Sequence, residues 1–158
     1  MYQRIVLAYD STVEGRAALR EGALLAKRCG AKVFLLAVLA DTSALAFAEG
    51  AQVGVAESHM ETYRAVLKEG LGMLQRLGVQ AEGRLVKGDP AQQIGDFARE
   101  VRADLVVVGH RRRSFLERWW SGASGAYIVD NLDCSLLVAR TEVGDDMFKA
   151  ELSEVAIA

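Results

Sequence analysis

Apolar positions along the chain form short runs that alternate with longer stretches of helical spacing. Ile5-Val6-Leu7-Ala8 is the first run, a strand that ends at Asp10. Ser11-Thr12-Val13-Glu14 follows as a capping box, with Ser11 expected to accept from the Glu14 N–H while Glu14 reaches back. Ala18, Gly22, Leu25 and Cys29 then share one stripe of a helix that Gly30 closes as a left-handed C-cap. Lys32 to Leu39 reads as a second strand, and residues 40–56, rich in Ala and Gly without a period, read as a mobile loop. A second helix from about Glu57 places Met60, Tyr63, Leu67, Leu71 and Leu74 at helical spacing and stops at Gly78.

Val79 to Val86 is a third strand, polar enough for a sheet edge. Asp89-Pro90 supplies an N-cap and a proline at the first helical position, and Ile94, Phe97, Ala98 and Val101 form the buried stripe of a third helix. Leu105-Val106-Val107-Val108 is a continuous apolar run, as in a parallel strand covered on both faces. A last helix over Gly122–Asn131 and a fifth strand over Ser135–Ala139 complete the pattern. This β-α-β-α-β-α-β-α-β order predicts a single-domain, Rossmann-like α/β fold: a five-stranded parallel sheet with helices on both faces. Ligands of such sheets bind beyond the carboxyl ends of the strands, where the strand order reverses. Asp10 after the first strand and Gly109 after the fourth are therefore the positions to watch.

Composition narrows the function classes. A chain of 158 residues with 51% apolar and 25% charged residues fits one soluble domain with an ample core. Its net charge of −2 gives no broad attraction to nucleic acid or to an anionic membrane, so neither is expected as a partner. Val33 to Ala40, the longest apolar run, is too short to span a bilayer, and a strand starting almost at Met1 leaves no room for a signal peptide. Cys29 and Cys134 each sit in an apolar stretch and are expected to be buried free thiols, which suits a reducing cytoplasm.

Charge is distributed unevenly. Arg111, Arg112, Arg113 and Arg118 make a local basic patch, whereas Glu142, Asp145, Asp146, Glu151 and Glu154 face only Lys149 in the tail. In that tail, residues 141–158, Phe148, Leu152 and Val155 fall on one face of a short amphipathic helix capped by Asp145 or Asp146. The basic patch lies inside "VVVGHRRRSFLERWWSGASGAYI", where Gly109 at a strand end and Gly122-Ala123-Ser124-Gly125 at a helix start offer backbone N–H groups to a phosphate. The arginines read either as the solvated surface of a loop or as bidentate phosphate contacts. Trp119 and Trp120 read either as one core residue with one cover for the loop base, or as part of a dimer surface or lid.

Signals for catalysis are missing. There is no Gly-x-Ser-x-Gly elbow, no Cys–His arrangement and no paired carboxylates, and His59 and His110 have no ligand at metal spacing. A phosphorelay receiver would need an acidic pair after the first strand and an aspartate ending the third, which here ends "LVKG".

"RIVLAYDST", "VKGDPAQQI", "ADLVVVG" and "CSLLVAR" together resemble the universal stress protein family over residues 2–140. The resemblance implies an adenine nucleotide alpha hydrolase-like fold for a domain of residues 1–140. ATP-binding members carry Gly-x2-Gly-x9-Gly-Ser/Thr, and those positions hold Gly109, Arg112, Gly122 and Ala123 here. The spacing is kept while Arg112 replaces a glycine and Ala123 a hydroxyl residue, so the loop is degenerate. Asp10 corresponds to the acid that meets the adenosine moiety, and Val38 to the residue beside adenine. The resemblance thus implies a non-catalytic, dimeric stress-response module with weakened or residual adenine-nucleotide binding. The alternative is a protein that binds ATP or AMP with Arg112 and Ser124 standing in for the usual Gly and Ser. It further implies a homodimer joined partly through strand 135–140, and leaves room for an unidentified protein partner.

Overall fold

The computed structural model describes residues 1–40, 54–109 and 128–139, together with residues 146, 149, 150 and 153 of the tail. Its elements run β1 (Arg4–Ala8), α1 (Val13–Cys29), β2 (Lys32–Ala40), α2 (Gly54–Arg76), β3 (Ala81–Gly88), α3 (Pro90–Glu100), β4 (Leu105–Gly109), a 3-10 turn (Ile128–Asn131) and β5 (Ser135–Ala139). All strand pairings are parallel, in the order β3-β2-β1-β4-β5. The single-domain α/β sheet expected from the alternation is therefore present.

Alternation along the central strands divides the core. Ile5, Leu7, Val33, Leu35, Leu105 and Val107 point to the face covered by α1 and α2, where Ala18, Leu19, Ala23 and Leu74 meet them. Val6, Phe34, Leu36, Val106 and Val108 point the other way, against Ile94, Phe97 and Ala98 of α3. Phe34 and Phe97 meet edge to face, with centroids 6.2 Å apart. Burial of this order contributes about 1.5–3 kcal/mol per large aliphatic side chain, so the apolar pattern fixes the sheet.

Both sheet edges fall where the sequence puts them. β3 exposes Glu82 and Arg84, which pair with Lys32 and Glu100. These half-exposed ion pairs add little stability, but they mark β3 as an edge unsuited to another strand. β5 is the opposite edge, with Leu136, Leu137 and Val138 only partly covered. Among the described residues, no helix is long and apolar enough to cross a membrane.

Several local expectations are corrected. Thr12, not Ser11, is the N-cap of α1: its hydroxyl accepts from the Gly15 N–H at 3.0 Å. Ser11 instead takes φ 59°, turning the chain out of β1. α2 begins at Gly54, inside the stretch read as a loop, and β3 starts at Ala81, because Val79 is buried before the strand begins to pair. Of the last predicted helix only Ile128–Asn131 is described, and there it is a 3-10 turn. Both cysteines are free but only half-buried. Burial, with Asp104 and Asp133 nearby, pushes the Cys134 thiol up, so it stays protonated and a poor nucleophile at neutral pH.

The Gly30 and Asp89 caps are as expected: Gly30 has φ 62°, and Asp89 accepts from the Gln92 N–H at 3.0 Å. In the tail, Asp146, Lys149, Ala150 and Ser153 are helical and exposed, and the Ser153 hydroxyl donates to the Lys149 carbonyl at 2.9 Å. Phe148, Leu152, Val155, Trp119 and Trp120 lie outside the described residues.

Candidate functional site

The chain lays down β1, β2 and β3 outward in one direction and then crosses back to β4 on the other side of β1. Beyond the carboxyl ends of β1 and β4, this reversal of strand order leaves a crevice. A cavity of about 300 Å³ occupies it. Asp10, Val38 and Gly109 all line this cavity, so three positions far apart in sequence converge there. Arg112, Gly122, Ala123 and Ser124 lie outside the described residues.

Asp10 anchors the turn into α1. Its Oδ1 accepts from both the N–H (3.1 Å) and the hydroxyl (2.6 Å) of Thr12, and the Thr12 hydroxyl in turn caps Gly15. This arrangement explains the shifted cap, because the carboxylate before the helix selects Thr12 from two adjacent hydroxyl residues. It also requires Gly15, where a Cβ would stand 2.4 Å from Asp10 Oδ1. Gly109 has a similar constraint from another direction. A Cβ on it would lie 2.7 Å from the Glu14 carbonyl oxygen and 3.1 Å from the Gly15 nitrogen. The end of β4 thus rests directly on the first turn of α1, and a glycine is needed there even before any ligand is considered.

The remaining walls are mostly apolar. Leu36, Val38, Val108 and Ile94 form one side, and Thr62, Tyr63 and Val66 of α2 the other. Asp10 and Glu14 also line the cavity, and the Glu14 backbone carbonyl lies against Gly109. A wider hollow of about 550 Å³ opens at the amino ends of β2 and β3, beside Lys27, Gly30, Lys32 and Gly78. There the C-termini of α1 and α2 converge, and Lys27 serves their dipoles. That end of the sheet is not where this architecture holds ligands.

One constellation escapes sequence reasoning. Tyr9, only 4% exposed, donates its hydroxyl to Glu69 Oε1 at 2.8 Å, and Arg16 Nε donates to the same oxygen at 2.8 Å. Burial, and then Glu69, raises the Tyr9 phenol well above its usual value. Arg16 first, and Tyr9 second, hold the Glu69 carboxyl below the usual glutamate value. The available signal was that Tyr9 continues the inward alternation of Ile5 and Leu7. Nothing local pointed to Glu69.

The profile of the universal stress protein family matches residues 1–140. The chain belongs to that family. Universal stress protein MJ0531 of Methanocaldococcus jannaschii is 28% identical over 141 residues, covering 89% of this chain and 83% of that protein. A crystal structure of a family protein from Burkholderia pseudomallei superimposes with a TM-score of 0.66 at 26% identity, covering 87% of this chain and 95% of its own. The universal stress protein from Archaeoglobus fulgidus, solved in complex with dAMP, gives a TM-score of 0.64 at 21% identity, covering 88% of this chain and 98% of that one. At that identity the likeness speaks for the shared fold.

Proposed function

We propose that this universal stress protein is a non-catalytic, cytoplasmic regulatory module that holds an adenine nucleotide in the crevice with weakened grip on its phosphates. The observation that carries the reading is the convergence of Asp10, Val38 and Gly109 on one cavity at the strand-order reversal. At about 300 Å³ it matches the lower end of small-molecule sites, enough for a nucleoside-sized body with its phosphates directed outward. Leu36, Val38, Ile94 and Val108 offer an apolar slot for the base. Asp10 Oδ1 is engaged by Thr12, which leaves Oδ2 to accept from a ribose hydroxyl. The Asp10 carboxylate repels phosphates from the α1 side, so the phosphates are directed past Gly109, the residue that shortly precedes the Arg111–Arg113 run in the sequence. The dAMP complex of the Archaeoglobus fulgidus relative supports the ligand class.

The regulatory form is proposed to be a homodimer paired through the β5 edge, whose apolar residues are only partly covered. Free thiols at Cys29 and Cys134 fit a reducing compartment. At the phosphate end, Arg112 and Ala123 replace residues that give the family's loop its backbone freedom and hydroxyl. Calorimetric titration of ATP into the wild type, Arg112→Ala and Arg112→Gly/Ala123→Ser tests this. The reading expects the double variant to bind more tightly. If Arg112→Ala instead weakens binding, by about 1.5–3 kcal/mol for a charged hydrogen bond, Arg112 is a phosphate ligand and the site is not degenerate.

A further inference from the structure

We infer that the Tyr9–Glu69 contact is a latch that sets the position of the α2 wall of the crevice, which makes Glu69 a positioning residue for the ligand. The inference rests on the nucleotide reading of the crevice for its consequence, but not for its geometry. Thr62, Val66, Glu69 and Met73 are spaced four, three and four residues apart, so they share one stripe of α2. Thr62 and Val66 line the crevice, and Glu69 and Met73 receive the Tyr9 hydroxyl at 2.8 and 3.7 Å. Tyr9 itself lines the crevice. The same side chain therefore touches the ligand space and fixes the helix that bounds it.

The contact is close along its whole length. A Cβ on Gly70 would stand 2.8 and 2.9 Å from the Tyr9 ring, so the backbone of α2 rests on that ring. Of the two bonds to Glu69, the one from Tyr9 matters more. Arg16 and Glu69 have side chains 44% and 38% exposed, a setting where ion pairs contribute little, whereas the phenol is buried. Among the described residues, the acceptor left to it without Glu69 is the Met73 sulfur, a weak one. Displacement of Glu69 would thus let the stripe that carries Thr62 and Val66 move relative to the strand end.

AMP is the probe. Tyr9→Phe and Glu69→Ala should each weaken AMP binding by about three- to tenfold, part of what a hydrogen bond to a charged acceptor is worth. Glu69→Gln, which keeps an acceptor for the phenol, should stay within about twofold of the wild type. The Tyr9→Phe/Glu69→Ala double variant should be no worse than the weaker single, as expected of two residues acting as one unit. Val33→Ala, at the amino end of the sheet, should lower the melting temperature and leave AMP affinity unchanged. In ligand-free protein, amides 60–66 should exchange faster in Tyr9→Phe. Unchanged affinity and exchange in Tyr9→Phe overturn the latch, as does a loss of affinity in Val33→Ala equal to that in Tyr9→Phe. A wild type that binds no AMP, with exchange still faster in Tyr9→Phe, overturns the nucleotide reading and supports the latch.

Discussion

Replacing Gly109 by alanine separates two roles that a glycine at the head of a phosphate loop can hold. Its backbone has no positive φ, so alanine would ordinarily stabilise the chain by about 0.4–1 kcal/mol through the unfolded state. The added Cβ, however, meets the Glu14 carbonyl oxygen at 2.7 Å and the Glu14 carbonyl carbon at 2.9 Å, against about 3.4 Å for ordinary contact. Both neighbours are backbone, so β4 and the first turn of α1 must separate by roughly 0.7 Å (3.4 − 2.7). Overpacking of this kind costs about 1–3 kcal/mol and outweighs the entropic gain. The net loss is about 0.6–2 kcal/mol, and a domain of this size loses about 2–4 °C per kcal/mol, so thermal melting should fall by about 1–8 °C. Gly72→Ala is the comparator. Among the described residues its Cβ would meet the Arg76 guanidinium tip at 3.6 Å, an ordinary contact, and it should stabilise α2 by about 0.5–1 kcal/mol. If Gly109→Ala melts at or above the wild type, the close approach of β4 to α1 is wrong, and the glycine serves a ligand alone.

Three further outcomes follow from the same contacts. Thr12→Ala should cost about 0.5–2 kcal/mol as a lost N-cap in urea unfolding, whereas Ser11→Gly, at φ 59°, should not destabilise. Glu69 is held below the usual glutamate value in the folded chain, so its stabilising contribution is complete above that value and is lost as pH falls through the lowered one. Melting curves of the wild type and Glu69→Gln should accordingly converge on acidification, and a constant gap would contradict the Glu69 assignment. The partly covered β5 edge predicts a dimer in sedimentation at micromolar concentration, disrupted by Leu137→Lys, and a monomeric wild type would contradict it.

Much of the frame was legible because it rests on periodicity. The runs at Ile5, Val33 and Leu105 alternate toward two buried faces, and strand ends followed once the runs were placed. Asp10 and Gly109 therefore follow as strand-end positions from the pattern alone, and Val38 from the family resemblance. The cap of α1 is not decided by the sequence, because Ser11 and Thr12 both satisfy the local pattern and a carboxylate outside the helix chooses between them. The sequence starts β3 two residues early, because buried Val79 has the character of a strand residue although pairing begins at Ala81. Tyr9 and Glu69 are 60 residues apart, and Arg16 and Glu69 are 53 apart. Their meeting depends on how α1 and α2 lie over one face of the sheet, which no window along the chain contains.

The central claim is that the crevice between β1 and β4 holds an adenine nucleotide whose phosphates beyond the first gain little. Calorimetric titration of AMP and ATP into the wild-type protein, with Asp10→Ala beside it, tests that claim directly. Expected are saturable binding of AMP, affinity for ATP within about tenfold of it (about 1.4 kcal/mol), and weaker binding of both by Asp10→Ala. No binding of AMP, binding unaffected by Asp10→Ala, or ATP held orders of magnitude more tightly than AMP would contradict it.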